Sequence, residues 1–290
     1  MRTTNGVVEI EYETVGDNSD PALLLVCGLS SQLIAYRRDF CQLLADAGFY
    51  VVRYDNRDVG LSSKTAAKPP SLVATRDALN KGLDSPASYG LSDMALDGMA
   101  VLDALGIVRS HIWGMSMGGM IVQTMAINHW DRVLSITSVM STTGASDVGR
   151  ATPEASAALM AVPPLEREAH IAADLAARHT YASADIDWDE MASYAGAQYD
   201  RMFHPVGAVH QLAAVIADGD RTDRLKSVDV PCTVLHGGID TLIDVSGGHA
   251  TAEAIDGAKL VVYDTMGHDL PATLWPSYVD EMVELADRAS

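Results

Sequence analysis

The chain has 290 residues, 48% of them hydrophobic, and its 39 acidic against 20 basic residues give a formal charge of −19. That length and apolar content suit one large domain, or a domain with an insert, built around a sizeable core. The negative field disfavours nucleic acid and anionic membranes as partners, and no apolar run approaches the ~20 residues that span a bilayer.

Residues 1–6 lead into a strand-like segment without the apolar region of a signal peptide, so a cytoplasmic location is expected. Cys27, Cys41 and Cys232 form no C-x-x-C pair and leave one thiol over, which fits buried free cysteines in a reducing compartment. No H-E-x-x-H or related spacing occurs, so neither a metal nor another cofactor is expected.

In residues 7–15, Glu9, Glu11 and Glu13 alternate with Val8, Ile10 and Tyr12, as on an outer antiparallel strand with one wet face. Residues 22–26 are a continuous apolar run, the mark of a parallel strand covered on both faces. Phe40, Leu43, Leu44 and Ala47 recur at helical spacing before Gly48, and residues 50–54 read as the next strand. Residues 65–89, with Pro69, Pro70 and Pro86, lack clear periodicity and read as a long surface loop. Ser92 is expected to cap a helix through Leu105, followed by strands at 111–114 and 133–140.

The rhythm then breaks. Residues 152–224 show no convincing buried strand, only helical patterns at 159–160, 169–179, 186–202 and 208–217. Sheet rhythm resumes with a strand at 230–236, a helix at 245–255, a strand at 259–263 and a last helix at 274–287. Strands and helices alternating at these lengths imply an α/β fold, a parallel sheet with helices on both faces. A core of residues 1–140 and 225–290 with a helical lid insert at 141–224, over the carboxyl edge of the sheet, is expected.

One stretch carries chemistry. Gly114-Met115-Ser116-Met117-Gly118 is G-x-S-x-G, with a strand before it and a helix-like apolar run after it. A serine on so sharp a turn is held in strained backbone geometry with its hydroxyl above the sheet, and the residues two before and two after must be small. The N–H of Met117, first in the helix, then points at whatever the serine attacks.

A serine hydroxyl needs a base, and on this architecture the order is serine, acid, histidine. Asp240, in His236-Gly237-Gly238-Ile239-Asp240, and His268, in Met266-Gly267-His268-Asp269, both follow strands at the same sheet edge as Ser116. His268 would take the serine proton, and Asp240 would hold its tautomer and balance its charge. The second oxyanion donor is expected from the loop after residues 22–26, at Leu29 N–H. His236-Gly237-Gly238 follows the acid's strand, so it reads as the turn that delivers Asp240 rather than as an oxyanion motif.

The sequence resembles the α/β-hydrolase family along nearly its whole length. The residues that carry this are Val26-Cys27-Gly28-Leu29, Asp55-Asn56-Arg57-Asp58-Val59-Gly60-Leu61-Ser62, the Ser116 elbow, Gly238-Ile239-Asp240 and Gly267-His268. Within the family it is similar to small bacterial carboxylesterases and the aclacinomycin methylesterase type. The resemblance implies a mostly parallel eight-stranded sheet and a serine esterase acting on a hydrophobic small-molecule ester. The Asp55–Ser62 loop is expected to be structural. Cys27-Gly28 stands where many members have His-Gly, so support for the Leu29 loop must come from elsewhere, and Cys27 reads as a small apolar filler.

In the insert, Met160, Tyr181, Trp188, Met191, Tyr194, Tyr199, Met202 and Phe203 suggest an apolar site, while His170, His179, His204 and His210 read as surface or packing residues. Thioesterase, amidase, C–C hydrolase, acyltransferase and perhydrolase chemistry would use the same triad, and a ligand receptor could retain it. Oligomeric state stays open.

Overall fold

The computed structural model describes residues 1–289. Its frame is one sheet of eight strands: β1 (Arg2–Asn5), β2 (Val8–Val15), β3 (Ala22–Val26), β4 (Tyr50–Tyr54), β5 (Ser110–Met115), β6 (Val133–Val139), β7 (Cys232–Gly237) and β8 (Lys259–Tyr263). They lie in the order β1-β2-β4-β3-β5-β6-β7-β8. The β1–β2 and β2–β4 pairs are antiparallel and all later pairs are parallel. The chain runs from β3 outward to β4, then crosses back to place β5 on the other side of β3. That reversal opens a crevice at the carboxyl ends of β3 and β5, where sheets of this kind bind ligands.

The helices are α1 (Arg38–Asp46), α2 (Leu72–Lys81), α3 (Leu91–Ala104), α4 (Met117–Asn128), α5 (Pro153–Leu159), α6 (Arg167–Arg178), α7 (Trp188–Arg201), α8 (Pro205–Asp218), α9 (Thr222–Leu225), α10 (Ser246–Ala254) and α11 (Trp275–Arg288). β3 is buried throughout, and its side chains alternate between two cores, as the two-residue period of a strand requires. Leu24 and Val26 pack with Met94 and Leu102 of α3 and Ile121 and Met125 of α4. Leu23 and Leu25 pack with Phe40 and Leu44 of α1 and Tyr278 and Met282 of α11. Among the described residues no helix is long and apolar enough to cross a membrane.

Two local expectations are corrected, and one strand was not anticipated. Residues 65–89 are not all loop, since α2 lies within them. Ser71 Oγ accepts the Ala74 N–H, and Gly82 closes the helix at φ 62°, a left-handed turn that glycine adopts without steric cost. Ser92 is not the cap of α3. The helix begins at Leu91, and the Asp93 carboxylate accepts the Gly90 N–H at 2.8 Å. β1 carries no apolar residue and has no sequence signal of its own. It is tied down by Asn5 Nδ2, which donates to Asp97 of α3 at 2.9 Å.

Between β6 and β7 the chain forms α5 to α9, and no strand among the described residues. The Asp55–Ser62 loop is a hydrogen-bonded knot. Asp55 accepts the N–H groups of Leu33 at 2.7 Å and Leu61 at 2.8 Å, and Ser62 Oγ donates to the Asp55 carbonyl at 2.7 Å. Arg57 grips the buried Asp97 through Nε at 2.6 Å and Nη2 at 2.7 Å.

Candidate active site

Ser116 stands between β5 and α4 at φ 55°, ψ −121°, a region that costs a residue with a Cβ free energy. Its neighbours show why glycine is needed. A Cβ on Gly114 would lie 2.1 Å from the Gly118 carbonyl oxygen, and one on Gly118 would lie 2.1 Å from that of Val26. Both obstacles are backbone, so neither can move aside. The turn is fixed from outside as well, since Ser116 N–H donates to the Val139 carbonyl at 2.9 Å and Ser141 Oγ to the Ser116 carbonyl at 2.9 Å.

The three sequence-predicted polar residues meet. His268 Nε2 lies 2.9 Å from Ser116 Oγ, and His268 Nδ1 lies 2.7 Å from Asp240 Oδ2. With the proton on Nδ1, the ring donates to the carboxylate and accepts from the serine. Asp240 Oδ1 accepts the N–H groups of Leu242 at 2.8 Å and Ile243 at 2.9 Å, leaving Oδ2 to the imidazole. His236, at the end of β7, is fully buried, and Nε2 donates to the Ile243 carbonyl at 2.8 Å. Burial pushes its pKa down, so it stays a neutral support of the turn that presents Asp240.

Leu29 and Met117 both border the cavity above Ser116. Neither N–H donates to a protein acceptor among the described residues. The Leu29 loop presses on Ser116, and a Cβ on Gly28 would meet Ser116 Cβ at 3.2 Å. The support that Cys27 does not supply comes from two sources. Asn56 Nδ2 donates to the Cys27 carbonyl at 2.9 Å. From α8 and α7, Gln211 Oε1 accepts the Ser30 N–H at 2.9 Å, and Gln198 Nε2 donates to the Ser30 carbonyl at 3.0 Å. Gln198 and Gln211 carry no motif and pair across distant parts of the chain, so sequence reasoning had no signal for them.

Over these groups lies a cavity of about 1400 Å³ walled by α2 and α5 to α8, larger than the ~300–1,000 Å³ of ordinary small-molecule pockets. Met160, Tyr181, Met191, Tyr194, Tyr199, Met202 and Phe203 line it as expected. Trp188 does not, because it stacks on His179 with ring centres 3.6 Å apart. His170 and His204 reach the wall, while His210 is buried against Tyr89 and bonded to the Ala67 carbonyl at 3.1 Å. Arg178 is one of several charged wall residues that sequence reasoning missed. Its Nε donates to Asp174 at 2.7 Å and its guanidinium lies 5.4 Å from the Tyr194 ring centre.

Comparison with known proteins agrees with this architecture. The chain is 34% identical over 147 residues to rhodomycin D methylesterase DauP of Streptomyces sp. (strain C5), a match that covers 50% of this chain and 42% of that protein. Thus it spans under half the length of that curated relative. Among solved structures, the enol-lactonase from Burkholderia xenovorans LB400 superposes with a TM-score of 0.72 at 21% identity, covering 98% of each chain. The meta-cleavage product hydrolase from Pseudomonas fluorescens IP01 superposes at 0.78 with 18% identity, covering 100% of this chain and 98% of that one. The family model described as alpha/beta hydrolase fold matches residues 21–272, and the chain belongs to that family.

Proposed function

We propose that the protein is a carboxylic ester hydrolase that works through an acyl-serine intermediate on a bulky, hydrophobic small molecule. The observation that carries this is the continuous hydrogen-bonded line from Ser116 Oγ through His268 to Asp240, at 2.9 and 2.7 Å, on the floor of a large cavity. His268 takes the serine proton as Oγ attacks the ester carbonyl, and Asp240 stabilises the imidazolium. The N–H groups of Leu29 and Met117 hold the developing oxyanion, each such donor contributing roughly 10²–10³ in rate. His268 returns the proton to the leaving alcohol, then activates water to release the acid. Residues 141–224 act as the cap that shapes the substrate site over a core of 1–140 and 225–290. The methylesterase name of the matched relative favours an ester with a small alcohol part and a large acid part.

Hydrolysis of p-nitrophenyl butyrate and of a methyl ester series, with wild type and Ser116→Ala side by side, tests the assignment. Ser116→Ala should lower kcat by about 10⁵–10⁶-fold while the melting temperature stays near that of wild type. Wild-type turnover in pure mutant protein would sink it.

A further inference from the structure

We propose that Ser183 and Asp269 form a clamp that positions the His268 imidazole, so that the segment after α6 is a working part of the reaction centre and not only a wall of its cavity. This rests on the hydrolase reading above. His268 lies in an irregular loop after β8, and a loop has no ladder of its own to hold it. Residues 181–184 take up three of its backbone hydrogen bonds, at Thr265, Gly267 and His268. His268 N–H donates to the Tyr181 carbonyl at 2.7 Å, and Ala184 N–H donates to the Thr265 carbonyl at 3.0 Å.

The Ser183 hydroxyl bridges the two residues that flank His268. Its oxygen accepts the Gly267 N–H at 2.8 Å, and its proton goes to the Asp269 carboxylate in a close contact. The second oxygen of Asp269 accepts the Ser183 N–H at 2.9 Å. Ser183 is 5% exposed, so these bonds are shielded from competing water. The segments approach so closely that a Cβ on Gly267 would lie 2.3 Å from the Tyr181 carbonyl oxygen. The Tyr181 ring stands edge-on to the His268 ring, centres 6.0 Å apart and planes at 86°.

The same segment reaches the acid. Thr241, next to Asp240, donates Oγ1 to the Thr180 carbonyl at 2.6 Å. Base loop and acid loop are therefore registered against one short stretch of chain between α6 and α7. A carboxylate that accepts two donors from one residue makes a directional, charge-assisted contact. Losing it frees the imidazole to drift, and a misplacement of about 1 Å costs on the order of 10²-fold in rate.

The test is Ser183→Ala in the full chain, with p-nitrophenyl butyrate as substrate and Ser116→Ala as the reference. The clamp predicts kcat about 10–100-fold below wild type, KM within about twofold, a near-native melting curve, and a downfield imidazole Nδ1–H proton resonance that shifts or broadens. A merely structural Ser183 would leave that resonance in place. If Ser183→Ala does not fold, Asp269→Asn, which keeps an oxygen acceptor but loses the charge, is read for the same kcat and resonance. A folded Ser183→Ala with wild-type kcat and an unchanged resonance, beside an inactive Ser116→Ala, overturns the clamp alone. An active Ser116→Ala overturns the hydrolase reading and the clamp with it.

Discussion

Asp240 divides its two oxygens between two tasks. Oδ1 is held by the Leu242 and Ile243 N–H groups, and Oδ2 faces His268 Nδ1 at 2.7 Å. Asp240→Asn retains the first set if the amide oxygen takes the Oδ1 place, but then its NH₂ faces the imidazole. The ring must turn its bare nitrogen to the amide and its proton to Ser116, which is the wrong tautomer for a base. The expected outcome is a kcat lower by roughly 10³–10⁴-fold with the fold intact, measured by ester hydrolysis beside circular dichroism. A loss below tenfold would count against Asp240 as the orienting acid. Cys27, beside the same site, takes no comparable part. Burial pushes its thiol pKa well up, and Sγ is engaged with the Gln32 carbonyl at 3.3 Å.

At the scale of an element, α2 shows what a pattern of apolar residues hides. Of its ten residues only Thr75 and Ala78 are buried, so no broad apolar stripe announces a helix. Its ends were the legible signal: Ser71 after Pro69-Pro70, and Gly82 after Lys81. Ser71→Ala removes the acceptor of the Ala74 N–H and should cost about 1 kcal/mol of unfolding free energy, read from urea melts. Although Leu72 and Arg76 of α2 line the cavity wall, Ser71 itself bonds only to Ala74 and Thr75, so kcat should change less than twofold. A loss of activity without a loss of stability would mean that the start of α2 has a further role. Elements with strong periodicity were located within a few residues: 50–54 and 259–263 coincide with β4 and β8, and 186–202 contains α7.

Across the whole molecule, the Ser116 line was legible because the proposed chemistry restricts residue type at three strand ends, and each end carries its own glycine-rich signature. What holds it was not. Gln198, Gln211, Ser183 and Arg201 reach the sheet from the helical segment between β6 and β7, and Arg201 donates to Asp55 at 2.7 Å; contacts so distant along the chain leave no local period to read. The core carries a second long-range feature with a pH consequence. His111, in the middle of the sheet, is 4% exposed, has Nδ1 2.8 Å from Ser135 Oγ and packs edge-on against Phe49. Burial, reinforced by Arg109, pushes its pKa down to about 4 from 6.5. Between these values the unfolded chain holds a proton on His111 that the folded chain does not, so stability rises with pH through this window and is lost as pH falls. The full contribution is at most about 3 kcal/mol. His236, also lowered by burial, acts in the same direction, while raised carboxylates such as Asp97 and Asp269 act in the opposite one. The difference between wild type and His111→Asn isolates the residue. Unfolding free energies measured from pH 4 to 7 should rise more steeply for wild type than for the variant below pH 6.5 and run parallel above it. Parallel curves throughout would mean that His111 is protonated equally in both states.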